Sequence, residues 1–546
     1  MVDAVYFGGD IVTVDDGRPT AEAVAVEDGR IAAVGTRAEV RELAGPGTRM
    51  VDLEGRTLLP GFVDAHSHLS LVGFQAGAAN LLPPPDGTVG DLAEMALRLT
   101  RWADGETGRR WEWIVGFGYD DAQLREREHP TRDDLDKVSP DRPVLVIHQS
   151  SHLGAVNGKG LELLGYGAGT ADPPGGVIRR RPGTSEPNGV LEEAAFFPVW
   201  GAATAGFDTA ERLRLVSLGQ RAMASFGYTT AQDGRVMTLP DLEILEEAAR
   251  LGRLDLDVVA YVDSSLVPLL GERSDRVSRP GYRDRLRIGG VKLGLDGSPQ
   301  GRTAWLTEPY LTPPPGQPDG YRGYPALPDD VVDATVRQAY GQGWQVLAHT
   351  NGDAALDQFL AAVRQATGAH GPGDRRPVAI HAQTAREDQL DTMRDLGVIP
   401  SFFSMHTYYW GDWYLDTVLG PRRALRISPA GSALARGMLY TSHHDAPVVL
   451  PSSIAVLASQ VTRVTRSGRV LGEDQRVSRL DAVRATTAYA AHQYFEESAK
   501  GSIEAGKLAD FVILSDNPVT AEPGAISGIT VTETVKEGRT VFPEPA

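Results

Sequence analysis

The stretch Leu59-Pro60-Gly61-Phe62-Val63-Asp64-Ala65-His66-Ser67-His68 decides the fold that this sequence predicts. It is an apolar run of β-forming residues that ends in two histidines separated by one residue. Because side chains alternate between the two faces of a strand, we expect His66 and His68 to point to the same side and to reach one divalent cation. An isolated His-X-His pair is a simple hydrogen-bonded or exposed pair about as often as it is a pair of metal ligands. The position of this pair at the end of the first predicted barrel strand favours the ligand role.

Short apolar runs recur along the chain, and many are followed by helical stretches, which is the pattern of parallel βα units. The predicted barrel strands cover residues 57–65, 228–232, 255–262, 288–295, 345–349, 377–381, 398–403 and 438–442. Eight such units fit an α/β fold of the (β/α)8 TIM barrel type, in which catalytic side chains follow the C-terminal ends of the strands.

The gap between the first two predicted strands, about residues 70 to 220, is too long for one βα unit and must contain an insertion. Within it, Trp111–Val115 and Val144–His148 are predicted strands, and Pro173–Gly189 is predicted to be a loop because of its Pro, Gly and Arg content.

Short strands separated by tight turns occur at both chain ends. They indicate one small β-domain built from both ends, although two independent terminal β-domains would show the same sequence pattern.

The composition excludes several classes of function. Of 546 residues, 54 are Lys or Arg and 72 are Asp or Glu, and the net charge of −18 repels phosphate backbones and anionic lipids. We therefore expect neither nucleic acid nor a membrane as a partner. Without cysteine there is no disulfide, thiolate zinc site or Cys nucleophile, and a metal must be held by imidazole, carboxylate or a modified amine. No secretory signal or long apolar stretch is evident, so we expect a cytoplasmic protein.

Further candidate ligands follow other predicted strands. His349 and His381 each end an apolar run, and Asp445 follows the eighth strand. A single histidine in such a place is more often a core or loop residue, but coincidences at matching strand ends favour a common site. Lys292 lies within the fourth predicted strand and is one of only six lysines. Burial lowers the pKa of a lysine, so its amine can react with carbon dioxide to form a bridging carbamate; pairing with Asp296 is the alternative.

Taken together, these motifs resemble those of the metal-dependent amidohydrolase superfamily, specifically the branch that contains N-substituted formamide deformylases. The resemblance covers nearly the entire chain and rests on segments 60–68, 291–292, 295–301, 349–353, 381–383, 443–447 and 501–511. It implies a distorted (β/α)8 barrel, a small β-sandwich formed by both chain ends, and an insertion after barrel strand 1 that covers the active site. The implied boundaries are 1–57 and 496–546 for the sandwich, 58–80 for barrel strand 1 with the metal motif, 81–190 for the insertion and 191–495 for the rest of the barrel.

The resemblance also implies roles for individual residues. The implied metal ligands are His66, His68, Lys292 as a carboxylated lysine, His349, His381 and Asp445. Asp445 is expected to orient the attacking water, accept its proton and pass it to the leaving nitrogen. His406 or His444 is expected to hold the oxyanion. Many relatives have serine before the aspartate, whereas this chain has His443-His444, so an added imidazole can contact substrate or metal.

The predicted function is hydrolysis of a non-peptide carbon–nitrogen bond by metal-activated hydroxide, in a small-molecule N-substituted formamide or related amide. We expect a divalent metal, Zn²⁺ before Mn²⁺ or Fe²⁺, with one or two per chain, and a homodimer. Seven aromatic residues between Ser401 and Tyr414 favour an apolar substituent on the amide, although aromatic clusters are commonly core. A lactonase, cyclic amidase or deaminase on the same metal site, and a non-catalytic binding protein, are open alternatives.

Overall fold

The computed structural model of the protein describes residues 2–121, 123–279, 281–314 and 316–544. The chain divides into two compact units. The first comprises residues 1–68, 223–445 and 451–546, and the second comprises residues 69–222 and 446–450. Within the described ranges, no helix combines the length and the apolar composition that a bilayer crossing requires.

The strands, numbered in chain order, are β1 Ala4–Val12, β2 Thr20–Glu27, β3 Arg30–Gly35, β4 Arg49–Asp52, β5 Thr57–Pro60, β6 Phe62–Val63, β7 Ala79–Asn80, β8 Ile114–Tyr119, β9 Val144–His148, β10 Leu153–Val156, β11 Gly176–Arg180, β12 Pro187–Glu193, β13 Tyr228–Val236, β14 Asp257–Asp263, β15 Leu286–Gly294, β16 Gln345–Thr350, β17 Val378–His381, β18 Ile399–Phe402, β19 Thr441–Ser442, β20 Phe511–Leu514, β21 Val531–Lys536 and β22 Arg539–Phe542.

The α-helices are α1 Arg37–Arg41, α2 Leu69–Gly77, α3 Leu92–Ala103, α4 Glu106–Arg110, α5 Arg132–Asp136, α6 Gly158–Leu164, α7 Phe197–Thr204, α8 Thr209–Ser225, α9 Leu239–Arg250, α10 Asp329–Gln342, α11 Asp353–His370, α12 Glu387–Leu396, α13 His406–Trp413, α14 Pro421–Ala424, α15 Ala430–Ala435, α16 Ser453–Thr462, α17 Arg479–Ala485 and α18 Ala488–Gln493.

Both chain ends contribute to one sheet of eight strands in the first unit. Its order is β22-β21-β20-β5-β1-β2-β3, with β4 paired to β1. Strand β5 pairs with both β1 and β20, so the two ends of the chain build one sheet, and their forming a separate small domain stays a prediction. Tyr6 and Phe511, from opposite ends of the chain, pack edge to face with ring centroids 5.4 Å apart. The sandwich geometry of this domain stays a prediction.

A second sheet of eight strands in the first unit is parallel throughout, and its order, β6-β13-β14-β15-β16-β17-β18-β19, follows the chain. Strand β14 is buried along its whole length, as expected where both faces of a parallel sheet are covered. Val63 of β6 and Ile399 of β18 belong to one buried cluster although their strands are distant in sheet order, so the sheet curls around a common core. No ladder pairs β6 with β19 in the described chain, and closure of the barrel stays a prediction.

The predicted first barrel strand, residues 57–65, is wrong in its extent, because it divides at Gly61 between the two sheets. Strand β5 pairs with β1 and β20, whereas β6 pairs with β13. At Gly61 the backbone passes so close to Thr229 that a Cβ atom would lie 2.4 Å from the threonine Cγ2, which excludes a larger residue. Each of the other seven predicted barrel strands overlaps one of the strands from β13 to β19.

The second unit contains a six-stranded sheet in the order β11-β12-β10-β9-β8-β7. Val144–His148 forms β9 as predicted, and the strand predicted at Trp111–Val115 begins later, as β8. The prediction of a loop over Pro173–Gly189 is wrong, because β11 and the start of β12 lie there. β11 is at the edge of the sheet and buries Ile178. An edge strand tolerates a sequence rich in Pro, Gly and Arg, because only one of its sides pairs with another strand. The predicted insertion, 81–190, lies inside this unit, and its covering of an active site stays a prediction.

A buried charge cluster ties the C-terminal strands to the parallel sheet. The Lys536 ammonium, fully buried at the end of β21, lies 3.0 Å from the Asp510 carboxylate and 2.9 Å from that of Asp257 at the start of β14. Lys500 lies 2.7 Å from Asp257 and 2.7 Å from Glu496. Burial alone would raise the pKa of Asp257, but the two ammonium groups hold it well below its usual range. Each of these buried charges is therefore stabilised only while its oppositely charged partners are present.

We expect Lys536→Met to destabilise the protein by about 3–5 kcal/mol, because it leaves Asp510 and Asp257 buried with less compensating charge. Urea denaturation followed by circular dichroism measures the loss. Arg422→Met is the control: Arg422 is 72% exposed and pairs with the exposed Glu308, so its removal should change stability little. Equal midpoints for the two variants would contradict a stabilising role for the buried cluster.

Candidate metal centre

The predicted ligands gather at the C-terminal end of the parallel sheet, within the first unit. The Asp445 carboxylate is at the centre of the group. Its Oδ1 lies 3.4 Å from His66 Nε2 and 3.5 Å from His68 Nε2, and its Oδ2 lies 3.8 Å from His381 Nε2. The ligand atoms of His66, His68 and Asp445 all lie within 4.8 Å of one another. Residues from the first, sixth and eighth strands of the sheet therefore share one small volume.

Lys292 and His349 complete this group. The Lys292 Nζ is 3.2 Å from His66 Nε2, and the ring centroid of His349 is 4.6 Å from that of His381. Lys292 pairs with Leu347 across β15 and β16, and His349 is two residues beyond Leu347. Both side chains therefore lie on the face of the sheet that Leu347 buries.

A turn places the two histidines of the His-X-His motif, and the predicted strand alternation does not apply to them. Strand β6 ends at Val63, before the motif. The buried Asp64 carboxylate accepts hydrogen bonds from the backbone N–H groups of His66 (3.1 Å) and Gln232 (2.9 Å) and from the Ser67 hydroxyl. These bonds fold the chain directly after the strand. Burial raises the pKa of Asp64 to about 7, although the hydrogen bonds oppose the shift.

Two of the histidines have a hydrogen-bond acceptor at Nδ1 that leaves Nε2 unprotonated. Gln232 Oε1 lies 2.6 Å from His66 Nδ1. The Gln232 amide nitrogen donates to a backbone carbonyl and to the Tyr494 hydroxyl, which identifies Oε1 as the acceptor. Asp296 Oδ1 lies 2.9 Å from His349 Nδ1. With the proton at Nδ1, Nε2 of each ring is unprotonated and has a lone pair. The Nε2 of His349 is also 3.3 Å from the Asn351 amide nitrogen, so a cation would replace that contact.

Two of the predicted ligands have left-handed backbones although neither is glycine: φ is +71° at His381 and +53° at Asp445. Non-glycine residues in this region carry strain, which concentrates at functional sites. Ile380 belongs to the buried interior of the sheet, so regular alternation would put His381 on the opposite face. The left-handed turn redirects the His381 ring so that its Nε2 approaches Asp445.

Burial keeps the imidazoles of His66 and His381 neutral. The pKa values of His66 and His381 lie well below the usual range, first because of burial and then because of neighbouring cationic groups. Burial likewise lowers the pKa of Lys292 to about 7, so a neutral amine is available near physiological pH. Neutral nitrogens are the form that binds a metal.

This donor set fits a divalent cation. Imidazole and carboxylate ligands suit ions of borderline softness, and Asp445 supplies negative charge. Oδ1 of Asp445 is buried and has no hydrogen-bond partner among the described residues, although it lies beside two imidazole nitrogens. A buried carboxylate oxygen without a donor is costly, and a cation at this position would satisfy it.

The three remaining histidines that the sequence singled out, His406, His443 and His444, have different surroundings in the structure. His406, at the start of α13, is buried, its ring centroid is 6.1 Å from that of His381, and its Nδ1 has no hydrogen bond to the described residues. His444 is buried beside Asp64, with 3.5 Å between its Nε2 and Oδ1. His443 lies among the predicted ligands, with its ring centroid 5.1 Å from that of His381.

Three side chains that support the ligands, Asp64, Gln232 and Asp296, are not among the site residues predicted from the sequence. Each is a polar residue within one position of the end of a predicted strand, where side chains reach the site of a barrel. That position is the signal that could have identified them. The partners that join them to other strands, such as Gln232 for Asp64 and His349 for Asp296, lie far away in the sequence and cannot be read from its spacing.

A second group of possible ligands lies in the second unit, where Asp120, Asp121 and His148 converge after β8 and at the end of β9. His148 Nε2 is 3.7 Å from Asp120 and 3.2 Å from Asp121. Burial by itself would lower the pKa of His148, but the two carboxylates raise it to about 9. A protonated His148 pairs with both acids and has no lone pair to offer a cation, and we assign no metal to this group.

Comparison with known proteins identifies the family. The model of the amidohydrolase family matches residues 49–542. The N-substituted formamide deformylase of Arthrobacter pascens is 30% identical over 550 residues, which cover 98% of each chain. Protein LONG AFTER FAR-RED 3 of Arabidopsis thaliana is 28% identical over 549 residues, which cover 95% of this chain and 88% of the relative. An uncharacterised metal-dependent hydrolase of Pyrococcus furiosus has a similar structure, with a TM-score of 0.74, 26% identity, and coverage of 95% of this chain and 100% of that one.

The family match over residues 49–542 includes the whole parallel sheet and every residue of the ligand group. The similarity to a metal-dependent hydrolase agrees with the chemistry of that group. The chain belongs to the amidohydrolase family and is a hydrolase that acts on carbon–nitrogen bonds.

Proposed function

We propose that the protein is a metal-dependent amidohydrolase whose substrate is an N-substituted formamide, or a related amide, with an apolar substituent. The observation that carries the proposal is the group around Asp445, in which three imidazoles contact one carboxylate. The relative from Arthrobacter pascens, a formamide deformylase by name, supports the choice of substrate class.

The residues proposed to hold one or two divalent cations are His66, His68, Lys292, His349, His381 and Asp445. Zn²⁺ matches their nitrogen and carboxylate donors, and Mn²⁺ or Fe²⁺ are the alternatives. When bound, such a cation lowers the pKa of water from 15.7 to about 7 and polarises an amide carbonyl. We propose that Lys292 acts as a carbamate, because burial leaves part of its amine neutral and able to react with carbon dioxide.

Asp445 is the proposed proton carrier. Its side chain is 13% exposed, so one edge is accessible although most of the carboxylate is buried. A carboxylate in this place accepts a proton from the attacking water and delivers it to the amide nitrogen, which leaves poorly unless it is protonated. The left-handed backbone of Asp445 supports this role, because it directs both oxygens toward the histidine group.

The wall beside His381 is aromatic, which supports an apolar substituent on the substrate. The ring centroid of Phe403 lies 6.2 Å from that of His381 and 4.1 Å from that of His406, and Trp410 lies 5.5 Å from His406. Burial lowers the pKa of His406 well below its usual range, so this imidazole is neutral. Its Nδ1, unbonded within the described chain, can donate a hydrogen bond to a substrate oxygen. A similar role for His444 stays a prediction.

Removal of metal should abolish hydrolysis of N-benzylformamide, and added Zn²⁺ or Mn²⁺ should restore it, because the side chains alone do not activate water strongly. Formate release is the assay, with metal content measured by mass spectrometry. A parallel panel of acyl amides, lactones and cyclic imides tests the substrate class. Undiminished turnover by metal-free protein would exclude the mechanism, and faster turnover of a lactone would replace the proposed substrate.

Asp445→Asn should lower kcat by about 10²- to 10⁴-fold, because the amide cannot carry the proton to the leaving nitrogen. Metal content is measured on the same sample, so that a loss of turnover with bound metal can be assigned to proton transfer. Asp395→Asn, at a position 67% exposed on α12, is the control and should behave like the wild type. Near-normal turnover by the Asp445 variant would remove the proposed proton carrier.

Trp410→Ala should raise KM for N-benzylformamide by about 10-fold and change KM for N-methylformamide less, because only the larger substituent loses apolar contact. Steady-state kinetics with both substrates measure the difference. Tyr324→Ala, at an exposed aromatic residue, is the control. An equal change for both substrates would show that the aromatic wall does not bind the substituent.

A further inference from the structure

The ligand histidine His381 also has a hydrogen-bond partner at Nδ1, and that partner is another histidine. His443 Nε2 lies 3.1 Å from His381 Nδ1. On its other side, His443 Nδ1 lies 2.9 Å from the Ser401 hydroxyl oxygen. All three side chains are buried. A hydrogen-bonded row therefore runs from Ser401 through His443 to His381.

The direction of the row follows from the number of protons that each ring carries. A neutral imidazole has one N–H group. If His381 presents an unprotonated Nε2 on the side of Asp445, its proton is at Nδ1 and is donated to His443 Nε2. His443 then carries its own proton at Nδ1 and donates it to Ser401. The opposite direction would put a proton on His381 Nε2, which could then not bind a cation.

The sheet holds the row in place. Ser401 pairs with Thr441 across β18 and β19, and His443 is two residues beyond Thr441. Ser401 and His443 therefore lie on the same face. The backbone N–H of His443 donates to the Phe402 carbonyl at 3.0 Å, which extends the pairing of the two strands. The Phe403 ring, with its centroid 5.6 Å from that of His443, occupies the space beside the imidazole.

We propose that His443 is a positioning residue that orients His381 and holds it in the tautomer that can bind metal. The inference rests on the proposed function, because it concerns the metal site of that hydrolase. Gln232 and Asp296 support His66 and His349 with an oxygen that is always an acceptor. An imidazole is an acceptor at Nε2 only when its proton is at Nδ1. Ser401, as acceptor for that proton, is therefore part of the same device.

The test is the affinity of the full-length protein for Zn²⁺, measured by competition with a chelating dye and independent of any substrate. His443→Leu should lower the affinity by about 10- to 100-fold. His443→Gln, which keeps an acceptor oxygen, should recover most of that loss. Ser401→Ala should lose less than His443→Leu, and Ser401→Thr, which keeps the hydroxyl, should match the wild type. His370→Leu removes an exposed histidine at the end of α11 and should bind Zn²⁺ like the wild type.

Urea denaturation of each variant separates positioning from folding. A folded His443→Leu protein with wild-type Zn²⁺ affinity would overturn the inference, and so would a His443→Gln protein as weak as His443→Leu. If His443→Leu does not fold, the comparison of Ser401→Ala with Ser401→Thr decides, and equal affinities of those two would overturn it. A wild-type protein that binds no Zn²⁺ would instead refute the metal site of the proposed function, so the two failures are distinguishable.

Discussion

A metal binds a histidine only at a ring nitrogen that carries no proton, and the candidate site is arranged around that requirement. At His66 and His349, the Nδ1 atom faces an acceptor oxygen from a different part of the sheet. Nε2 is then left with its lone pair, and burial keeps the ring of His66 neutral. Without these acceptors a buried imidazole could put its proton on either nitrogen, and the donor set would not be defined.

The two ends of the parallel strands have different roles, since one end carries the candidate site and the other contributes to stability. The ligand group follows the C-terminal ends of the parallel strands, whereas Asp257, at the start of β14, belongs to the buried charge cluster with Lys500 and Lys536. In barrel-like sheets the C-terminal edge carries function and the N-terminal edge carries stability. The left-handed backbones of His381 and Asp445 are consistent with this division, because strain at the functional edge must be compensated by packing elsewhere.

The sequence predicted most of the parallel sheet, because short apolar runs followed by helices are a local signal. The prediction failed where one local sequence pattern is compatible with two different structures. The run from Thr57 to Val63 is continuous in sequence but divides at Gly61, and only the pairing of β5 with β1 and β20 and of β6 with β13 shows that the chain changes sheet there. Over 173–189 the Pro, Gly and Arg content indicates a loop, but pairing with β12 makes an edge strand of 176–180.

The amino-acid sequence alone shows which residue types could bind a cation and that most of them lie at the ends of predicted strands. Apolar runs, histidine spacing and the lack of cysteine are all properties of neighbouring residues or of composition. Only the tertiary structure decided which nitrogen of each imidazole faces Asp445, and that His443 lies among the ligand histidines while His444 lies beside Asp64. The physical reason is that a tautomer is set by hydrogen bonds between residues far apart in the chain, such as His66 and Gln232, which are 166 positions apart.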